Sequence, residues 1–574
     1  MVTKIADYYK KIGILGVVVR ISLMWFVLAL LIIPNVNLFI KVFFSDGEFS
    51  TTVVTKVLNS NRAMKALWNS VVLAFSMIIS INVLGVLVVL FTEYFDLKGA
   101  KILKLGYMTS LIYGGIVFVT AYQFVYGNQG IVTNFLVQIF PEMNTGWFIG
   151  YPAVLFIMTF ACTSNHIIFL TNAIRSIDNQ VIEAAQILGE KSGKIFTKVV
   201  LPILTPTLFA ITILTFLTGL GAVSAPLIVG GSDFQTINPI IIEFSKTSFS
   251  REIAAFLAML LGLATTVLLV IMNKIEKGGT YMSIAKTKTS FKKQKIRSPF
   301  FNVLAHIVAW GLWLIYVTPV VLVTLYSFMD YRAIRNADLS LSNFTLENWQ
   351  KLFSQQSAFE PFVVSIVYSG LASILVVILI LFATRIIQKA TNKFERSLEY
   401  VLLLPWLLPS TLIAIGLMMT YDTPRPIMAN KVLIGTQVIL LFAYIIIKLP
   451  FTLRMVKAAF FSIDDSLEEA AQTMGASPFY ILRRVIVPII FPTLVSVMVL
   501  NFNSLLSDYD VTVFLYHPLL QPLGIVIKNA TDADSSLDAV AMTFVYSVCL
   551  MIISAVALYF TQGDGANLFK KKSK

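Results

Sequence analysis

The feature that most constrains this fold is a series of apolar runs, each long enough to cross a lipid bilayer. A helix needs about 20 residues to cross a hydrocarbon core of ~30 Å. Backbone amides inside that core must find partners within their own segment, so the runs are predicted to be α-helices. Only 13% of the residues are charged, whereas soluble domains average about 25%. The sequence therefore predicts an all-α membrane protein.

The apolar runs fall into two sets of six, which predicts about twelve transmembrane helices. In the first half they cover 15–42, 67–92, 105–124, 148–170, 199–222 and 252–273. In the second half they cover 303–328, 362–384, 399–420, 432–450, 485–507 and 539–561. This spacing divides the chain into a first half at 1–273, a linker at 274–300 and a second half at 301–574.

The distribution of Lys and Arg predicts the orientation. With the N-terminus inside, the inner segments hold most of the basic residues, as the positive-inside rule requires. Both termini are therefore predicted to be cytoplasmic, in a bacterial cytoplasmic membrane. The net charge of +14 reflects this topology and does not indicate a nucleic-acid partner. The basic segment 274–298 is interpreted as a solvated cytoplasmic linker; recruitment of anionic lipid is the alternative.

An internal repeat is the most informative feature for function. Segments 176–208 and 462–494 align without a gap at an offset of 286 and are identical at 15 of 33 positions. Each copy lies between the fourth and fifth predicted spans of its half. The two halves are therefore duplicates of one another.

Each copy of the repeat predicts a short helix, a glycine turn and a second short helix. Asp178 and Asp464 precede the first helix, where a carboxylate can cap free amides. Gly189 and Gly475 supply the left-handed turn that ends it. The second helix is predicted to end before a proline at the start of the next span. From spacing alone, such an element either docks on a soluble partner or packs on its own spans.

These segments resemble the EAA loop of binding-protein-dependent ABC importer permeases. In that pattern, Glu-Ala-Ala is followed after three residues by glycine and later by proline, here Pro202 and Pro488. The resemblance implies that the loops are coupling helices seated in two copies of a cytoplasmic ATPase, which binds the ATP; the chain itself would carry no cofactor. It also implies an extracytoplasmic binding protein or lipoprotein that delivers the substrate. The residues that match the coupling pattern are Glu183, Ala184, Ala185, Gly189, Glu469, Ala470, Ala471 and Gly475.

The fused arrangement also resembles the ferric-iron permease subfamily. The supporting stretches are Leu346-Glu347-Asn348 and two external segments, PLIVGGSDFQTINPIIIEFSK and YDVTVFLYHPLLQPLGI. This resemblance implies ferric iron as the substrate. Permeases of similar build carry hexose phosphates, aminoethylphosphonate, thiamine or polyamines, and these substrates stay open.

Several other functions are excluded or disfavoured by the sequence. Gly189-Glu190-Lys191-Ser192 lacks the spacing of a phosphate-binding loop, and no residues are arranged for nucleophilic catalysis, so the chain is not predicted to be an enzyme. Two cysteines and three histidines share no metal-ligand spacing, so no metal site is predicted. An ion-coupled secondary transporter is the main alternative, but its inverted repeats are not seen.

Polar residues within the fifth span of each half are candidates to line the substrate pathway, because polar groups facing lipid are costly. At the offset of 286, Thr215 matches Asn501 and Thr218 matches Ser504, so both halves place polar groups at the same depth. Asp508, with Asp510, follows near the outer end of the eleventh span. The alternative is that these side chains bond to their own helix or to neighbouring helices.

Overall fold

The computed structural model describes residues 16–45, 47–113, 115–190, 192–277, 291–296, 298–336, 338–390, 392–532 and 535–562. The basic N-terminus, most of the linker and the basic tail lie outside the described residues. Ten described helices are long and apolar enough to cross a membrane, or up to twelve spans if two bent helix pairs count as one span each. The described chain is almost entirely helical, and β1 (Phe44–Ser45) pairs with β2 (Glu48–Phe49) in a single short hairpin.

In the first half, the helices alternate between long spans and short connecting segments. They are α1 Gly16–Phe43, α2 Thr52–Leu58, α3 Asn61–Tyr94, α4 Ala100–Ile112, α5 Gly115–Tyr126, α6 Ile131–Ile139, α7 Tyr151–Arg175, α8 Asn179–Ile187, α9 Gly193–Leu220, α10 Ser224–Val229, α11 Ile237–Ser245 and α12 Arg251–Lys277.

The second half repeats this order. Its helices are α13 Pro299–Tyr326, α14 Tyr331–Asn336, α15 Glu347–Ser354, α16 Gln356–Gln388, α17 Lys393–Leu407, α18 Ser410–Tyr421, α19 Gln437–Phe461, α20 Asp465–Thr473, α21 Pro478–Leu506, α22 Thr512–Leu515, α23 Leu523–Asn529 and α24 Leu537–Gln562. Helices α7, α8 and α12 begin 286 residues before α19, α20 and α24 respectively, so the duplication extends well beyond the coupling loops.

The third span of each half is bent, whereas the sequence predicted uninterrupted spans at 105–124 and 399–420. Helix α4 meets the helical segment after it at 116°, and α17 meets α18 at 104°. Gly115, with a φ of +57°, begins α5, and Pro409 precedes α18. Both residue types break a helix locally without lowering the hydropathy of the run, so hydropathy alone does not reveal the bends.

The first helix of each half packs against the bent third span of the other half. In α1, the carbonyl of Ala29 accepts a hydrogen bond from the Tyr421 hydroxyl. In α13, the indole of Trp313 donates to the carbonyl of Ile102 (3.0 Å), and the carbonyl of Ala309 accepts from the Tyr107 hydroxyl (2.7 Å). The halves are therefore intertwined, and their separation at 1–273 and 301–574 describes the repeat in sequence rather than two separate bodies.

The two hydrophobic cores likewise combine helices from both halves. One core unites residues of α1 and α12 with the spans of the second half. The other unites residues of α13 and α24 with the spans of the first half. Each core thus contains helices from both repeats, so neither half has a hydrophobic core of its own within the described residues.

A substitution where α4 and α13 cross tests whether the first helix of the second half packs against the first half. A Cβ atom at Gly106 would lie 2.1 Å from the Trp313 indole nitrogen, so Gly106→Ala should destabilise the protein by about 2 kcal/mol through overpacking. The measurement is thermal unfolding of the detergent-solubilised protein. Gly311→Ala on α13 is the matched control, because nothing lies within 4 Å of its Cβ position. Equal midpoints for the two variants would contradict the packing of α13 against the first half.

Candidate functional site

The two predicted coupling loops have the same geometry. Asp178 accepts a hydrogen bond from the backbone N–H of Gln180 (3.1 Å), and Asp464 accepts one from Ser466 (2.9 Å), so each aspartate caps its helix as predicted. The bond to Ser466 lowers the pKa of the Asp464 carboxyl. Gly189 and Gly475 end α8 and α20 with φ values of +79° and +81°, which confirms the predicted left-handed turns.

Both loops present apolar side chains to the surroundings. Ile187 and Leu188 are 85% and 83% exposed, and Met474, the counterpart of Leu188, is 81% exposed. Val181 and its counterpart Leu467 are also exposed. Apolar side chains left unpartnered at equivalent positions of a duplicated helix are typical of a surface that binds another protein.

The segment after each glycine differs from the prediction. The short helix does not end before Pro202 or Pro488 but continues through a wide turn into the next span. In that turn the N–H of Leu201 bonds to the carbonyl of Phe196, and the N–H of Val487 bonds to that of Leu482, each five residues earlier. The wider turn accommodates a proline that has no N–H to donate. The coupling helix is therefore linked to the span by a continuous helix in both halves.

The second coupling helix is attached to the end of α16 by an ion-pair cluster. Glu468 is only 8% exposed and accepts hydrogen bonds from the guanidinium of Arg385 at 2.9 and 2.5 Å. Lys389 lies 3.2 Å from the same carboxylate. The bonds from Arg385 lower the pKa of Glu468 to about 2, so this carboxylate is charged throughout the physiological range. Glu468 was not among the residues predicted from sequence, although it directly precedes Glu469.

The first coupling helix lacks this ionic attachment. Ile182 occupies the position of Glu468 and is buried. Here Glu183 accepts a hydrogen bond from the amide of Asn179 (2.6 Å) and lies 3.6 Å from Lys292 of the inter-half segment. The part of the linker at 291–296 thus contacts a coupling loop, while Lys292, Lys293 and Lys295 remain exposed to solvent.

The predicted pathway residues separate into two environments. Thr215 and Asn501 are buried, and Asn501 donates to Thr452 of α19 (2.8 Å). Their equivalents one turn later, Thr218 and Ser504, are exposed. The duplicated positions therefore share their burial, and of the four residues only Ser504 lines the cavity described next.

A cavity of about 320 Å³ lies between the halves, next to the break in the third span of the first half. Ser504, Asp508 and Asp510 line it from the second half, and Tyr113 and Ser224 line it from the first half. The Tyr113 hydroxyl is buried and has no hydrogen-bond partner within the described residues. One carboxylate oxygen of Asp508 accepts from the N–H groups of residues 511 and 512. Asp508 therefore shapes the loop, and Asp510 is the more available acid.

The positively charged side chain of Lys448 lies beside this cavity. Lys448 on α19 donates to the hydroxyl of Ser504 at 2.5 Å, whereas the first half has Cys162 at the equivalent position. The charged groups at this cavity, Asp508 and Asp510 in its lining and Lys448 beside it, all come from the second half. Within the described ranges, no three His, Cys, Asp or Glu side chains are grouped as metal ligands.

A polar network in the first half was not predicted from sequence. Asn82 donates to Thr212 (3.0 Å) and lies 3.1 Å from the imidazole of His166. A Cβ at Gly85 would lie 2.3 Å from this ring, so the glycine makes room for the histidine. The network links α3, α7 and α9 inside the bundle, which gives His166 a packing role; its isolated position in the sequence offered no signal for it.

Two intertwined repeats, a duplicated helix with exposed apolar side chains and a polar cavity between the halves are the features expected of a transmembrane permease. The chain belongs to the family of binding-protein-dependent transport system inner membrane components, whose sequence model matches residues 15–278 and 389–563. It is an ABC importer permease subunit and not an enzyme, since the ATPase of such importers is a separate subunit.

Three known proteins are similar to this chain. It is 35% identical over 544 residues to the probable ABC transporter permease protein y4fN of Sinorhizobium fredii, covering 94% of this chain and 95% of the relative. It is 22% identical to the ferric transport system permease protein FbpB of Actinobacillus pleuropneumoniae, covering 95% of this chain and 78% of the relative. A putative 2-aminoethylphosphonate transport system permease protein, PhnV of Salmonella paratyphi A, is 26% identical over 37% of this chain and 78% of its own length.

Proposed function

We propose that this permease forms an alternating-access path for ferric iron, delivered by an extracytoplasmic binding protein and driven by two copies of a cytoplasmic ATPase. The observation that carries the proposal is the pair of coupling loops, which have equal caps, equal glycine turns and equally exposed Leu188 and Met474. Two copies of a surface related by pseudo-symmetry suit a two-fold symmetric partner. In this arrangement, Glu183, Ala184, Ala185 and Gly189 contact one ATPase subunit, and Glu469, Ala470, Ala471 and Gly475 contact the other.

The attachments of the coupling helices suggest how ATP-driven motion reaches the membrane. When the ATPase subunits close, α8 and α20 move with them. Because Glu468 holds α20 to the end of α16, and a wide helical turn joins each loop to the following span, the movement passes to α16 and α21 in the second half and to α9 in the first half. Rigid elements with more than one packing arrangement transmit such motion well.

The same proposal fixes the orientation. The coupling loops must lie in the cytoplasm to reach the ATPase. Both termini would then also be cytoplasmic in a bacterial inner membrane, in agreement with the positive-inside distribution of Lys and Arg.

The cavity chemistry supports ferric iron. Asp510, Asp508, Tyr113 and four serines offer oxygen atoms, and hard cations prefer carboxylate and other oxygen ligands. These groups do not form a closed ligand set, which suits a path that must release its substrate. An anionic substrate such as a phosphonate is the second candidate, because Lys448 bonds to Ser504 at the edge of the cavity.

Uptake by reconstituted proteoliposomes tests the substrate. The complete complex, with permease, ATPase and binding protein, is supplied with radiolabelled ferric iron or with labelled 2-aminoethylphosphonate. ATP-dependent accumulation of iron alone supports the proposal, and accumulation of the phosphonate alone would overturn it.

Asp510→Asn should lower iron uptake by about tenfold, equivalent to about 1.4 kcal/mol, because it removes a negative charge from the cavity. Lys448→Met should leave iron uptake in place and would abolish uptake only if the substrate were an anion. The matched control is Glu142→Gln, which removes an exposed acid from another loop. Unchanged iron uptake by Asp510→Asn would contradict a cationic substrate at this cavity.

A further inference from the structure

The inter-half segment, Phe291–Ile296, lies against the end of α3. The N–H of Gln294 donates to the carbonyl of Tyr94 (2.8 Å), and the carbonyl of Gln294 accepts from the N–H of Asp96 (3.0 Å). The Phe291 ring packs on the Tyr94 ring with centroids 5.8 Å apart. The ammonium of Lys293 donates to the carbonyl of Thr92 (2.6 Å). These contacts hold the segment in place, with a single parallel β-bridge between Gln294 and Phe95.

The opposite side of the same segment contacts the first coupling helix. The amide of Gln186 donates to the side-chain oxygen of Gln294 (2.8 Å), and the N–H of Lys292 donates to the side-chain oxygen of Asn179 (3.2 Å). The first and last turns of α8 are therefore both bonded to the segment. Gln294 is central, because it bonds to both α3 and α8.

The contact between the inter-half segment and α8 has a counterpart in the second half. Both coupling helices are attached to the end of the second span of their own half. In the second half, Glu468 of α20 pairs directly with Arg385 of α16. In the first half, Ile182 replaces that glutamate, and the segment bridges α8 and α3 instead. The duplication has preserved the attachment while its chemistry has changed.

We propose that Asn179, Lys292 and Gln294 are positioning residues that hold the first coupling helix to the end of α3 through the transport cycle. The inter-half segment therefore moves with the coupling helix as one unit and carries its displacement to α3. This inference rests on the proposed function, since it assumes that α8 couples to an ATPase. The attachment combines hydrogen bonds to Asn179 and Gln186 with the exposed ion pair between Lys292 and Glu183.

The test uses the complete complex in proteoliposomes and measures substrate uptake per ATP hydrolysed. Gln294→Pro removes the N–H that bonds to Tyr94 and the side-chain oxygen that accepts from Gln186. We expect uptake per ATP to fall by about fivefold, as the loss of roughly 1 kcal/mol of hydrogen bonding implies, while assembly with the ATPase persists. Lys295→Ala, an exposed neighbour in the same segment, is the control and should keep the normal ratio. A normal ratio for Gln294→Pro would overturn the proposal.

A cross-link distinguishes a positioning role from a merely structural one. In a background with Cys162→Ala and Cys549→Ala, the pair Gln186→Cys and Gln294→Cys is joined by a short bifunctional maleimide. If the segment travels with α8, the joined complex still transports at the rate of the unjoined complex; arrest would show that the contact must open and would overturn the inference. Gly189→Glu is run in parallel. Normal uptake by Gly189→Glu would overturn the coupling assignment itself. Reduced uptake per ATP in Gly189→Glu, together with a normal ratio in Gln294→Pro, would overturn only the positioning role.

Discussion

Gly189→Glu and Gly475→Glu should each leave the permease in the membrane and reduce uptake by about tenfold or more, since 1.4 kcal/mol corresponds to a factor of ten. Both glycines have left-handed φ values, which cost a residue with a side chain about 1–2 kcal/mol. A Cβ at either position would meet nothing within 4 Å, so the substitution does not disturb the packing of the chain itself. The added carboxylate instead enters the surface beside Leu188 or Met474, where a docked partner would have to desolvate it.

The measurement is uptake and ATP hydrolysis by the reconstituted complex, with membrane content checked by immunoblot. Gly193→Glu is the matched control, because Gly193 lies in the same loop, has an ordinary φ and has nothing within 4 Å of its Cβ position. We expect the control to transport within about twofold of the parent, as surface substitutions usually cost under 0.5 kcal/mol. Normal uptake in both Gly189→Glu and Gly475→Glu would refute the coupling assignment.

Glu468→Gln should be the most damaging single change in the second coupling loop outside its docking surface. It removes the charge that Arg385 and Lys389 share, and Arg385 is only 13% exposed. Loss of one partner of a buried pair costs about 3 kcal/mol or more. We therefore expect a lower midpoint of thermal unfolding and a several-fold loss of uptake per ATP. Asp465→Asn, an exposed acid on the same helix, should change neither quantity.

The pH dependence of this attachment has a definite sign. The folded-state pKa of Glu468 is about 2, below its ordinary value of 4.5. Its stabilising contribution is therefore fully present above about pH 4.5 and is lost only as pH falls toward 2. Between about pH 5.5 and 8, the difference in unfolding midpoint between the parent and Glu468→Gln should stay constant. A difference that disappears within this window would contradict the ion pair.

Much of the coupling site could be predicted from sequence because its determinants are local. Asp178 caps a helix that begins one residue later, and Gly189 ends that same helix, so both roles depend on neighbours along the chain. The duplication then allowed each feature to be checked against its counterpart, Asp464 or Gly475. The spans were predictable for a related reason, since hydropathy is a property of one continuous segment.

The contacts that connect the site to the membrane could not be predicted. Arg385 and Glu468 are far apart in sequence, and the bond between Gln186 and Gln294 joins a loop to a segment that composition alone suggests is solvated. The packing of α1 and α13 against the opposite half could not be predicted either, because the hydropathy of a helix does not indicate which helices it contacts. The bends beside Gly115 and Pro409 could not be predicted from hydropathy, because neither residue interrupts an apolar run.

The most direct test of the central claim is purification of this permease with and without a co-expressed ABC importer ATPase from the same organism. The account predicts that the two proteins co-elute and hydrolyse ATP, and that co-elution is lost when the regions around Glu183 and Glu469 are altered together. A permease that elutes alone, with the ATPase present, and transports its substrate on an ion gradient would contradict the account and identify a secondary carrier.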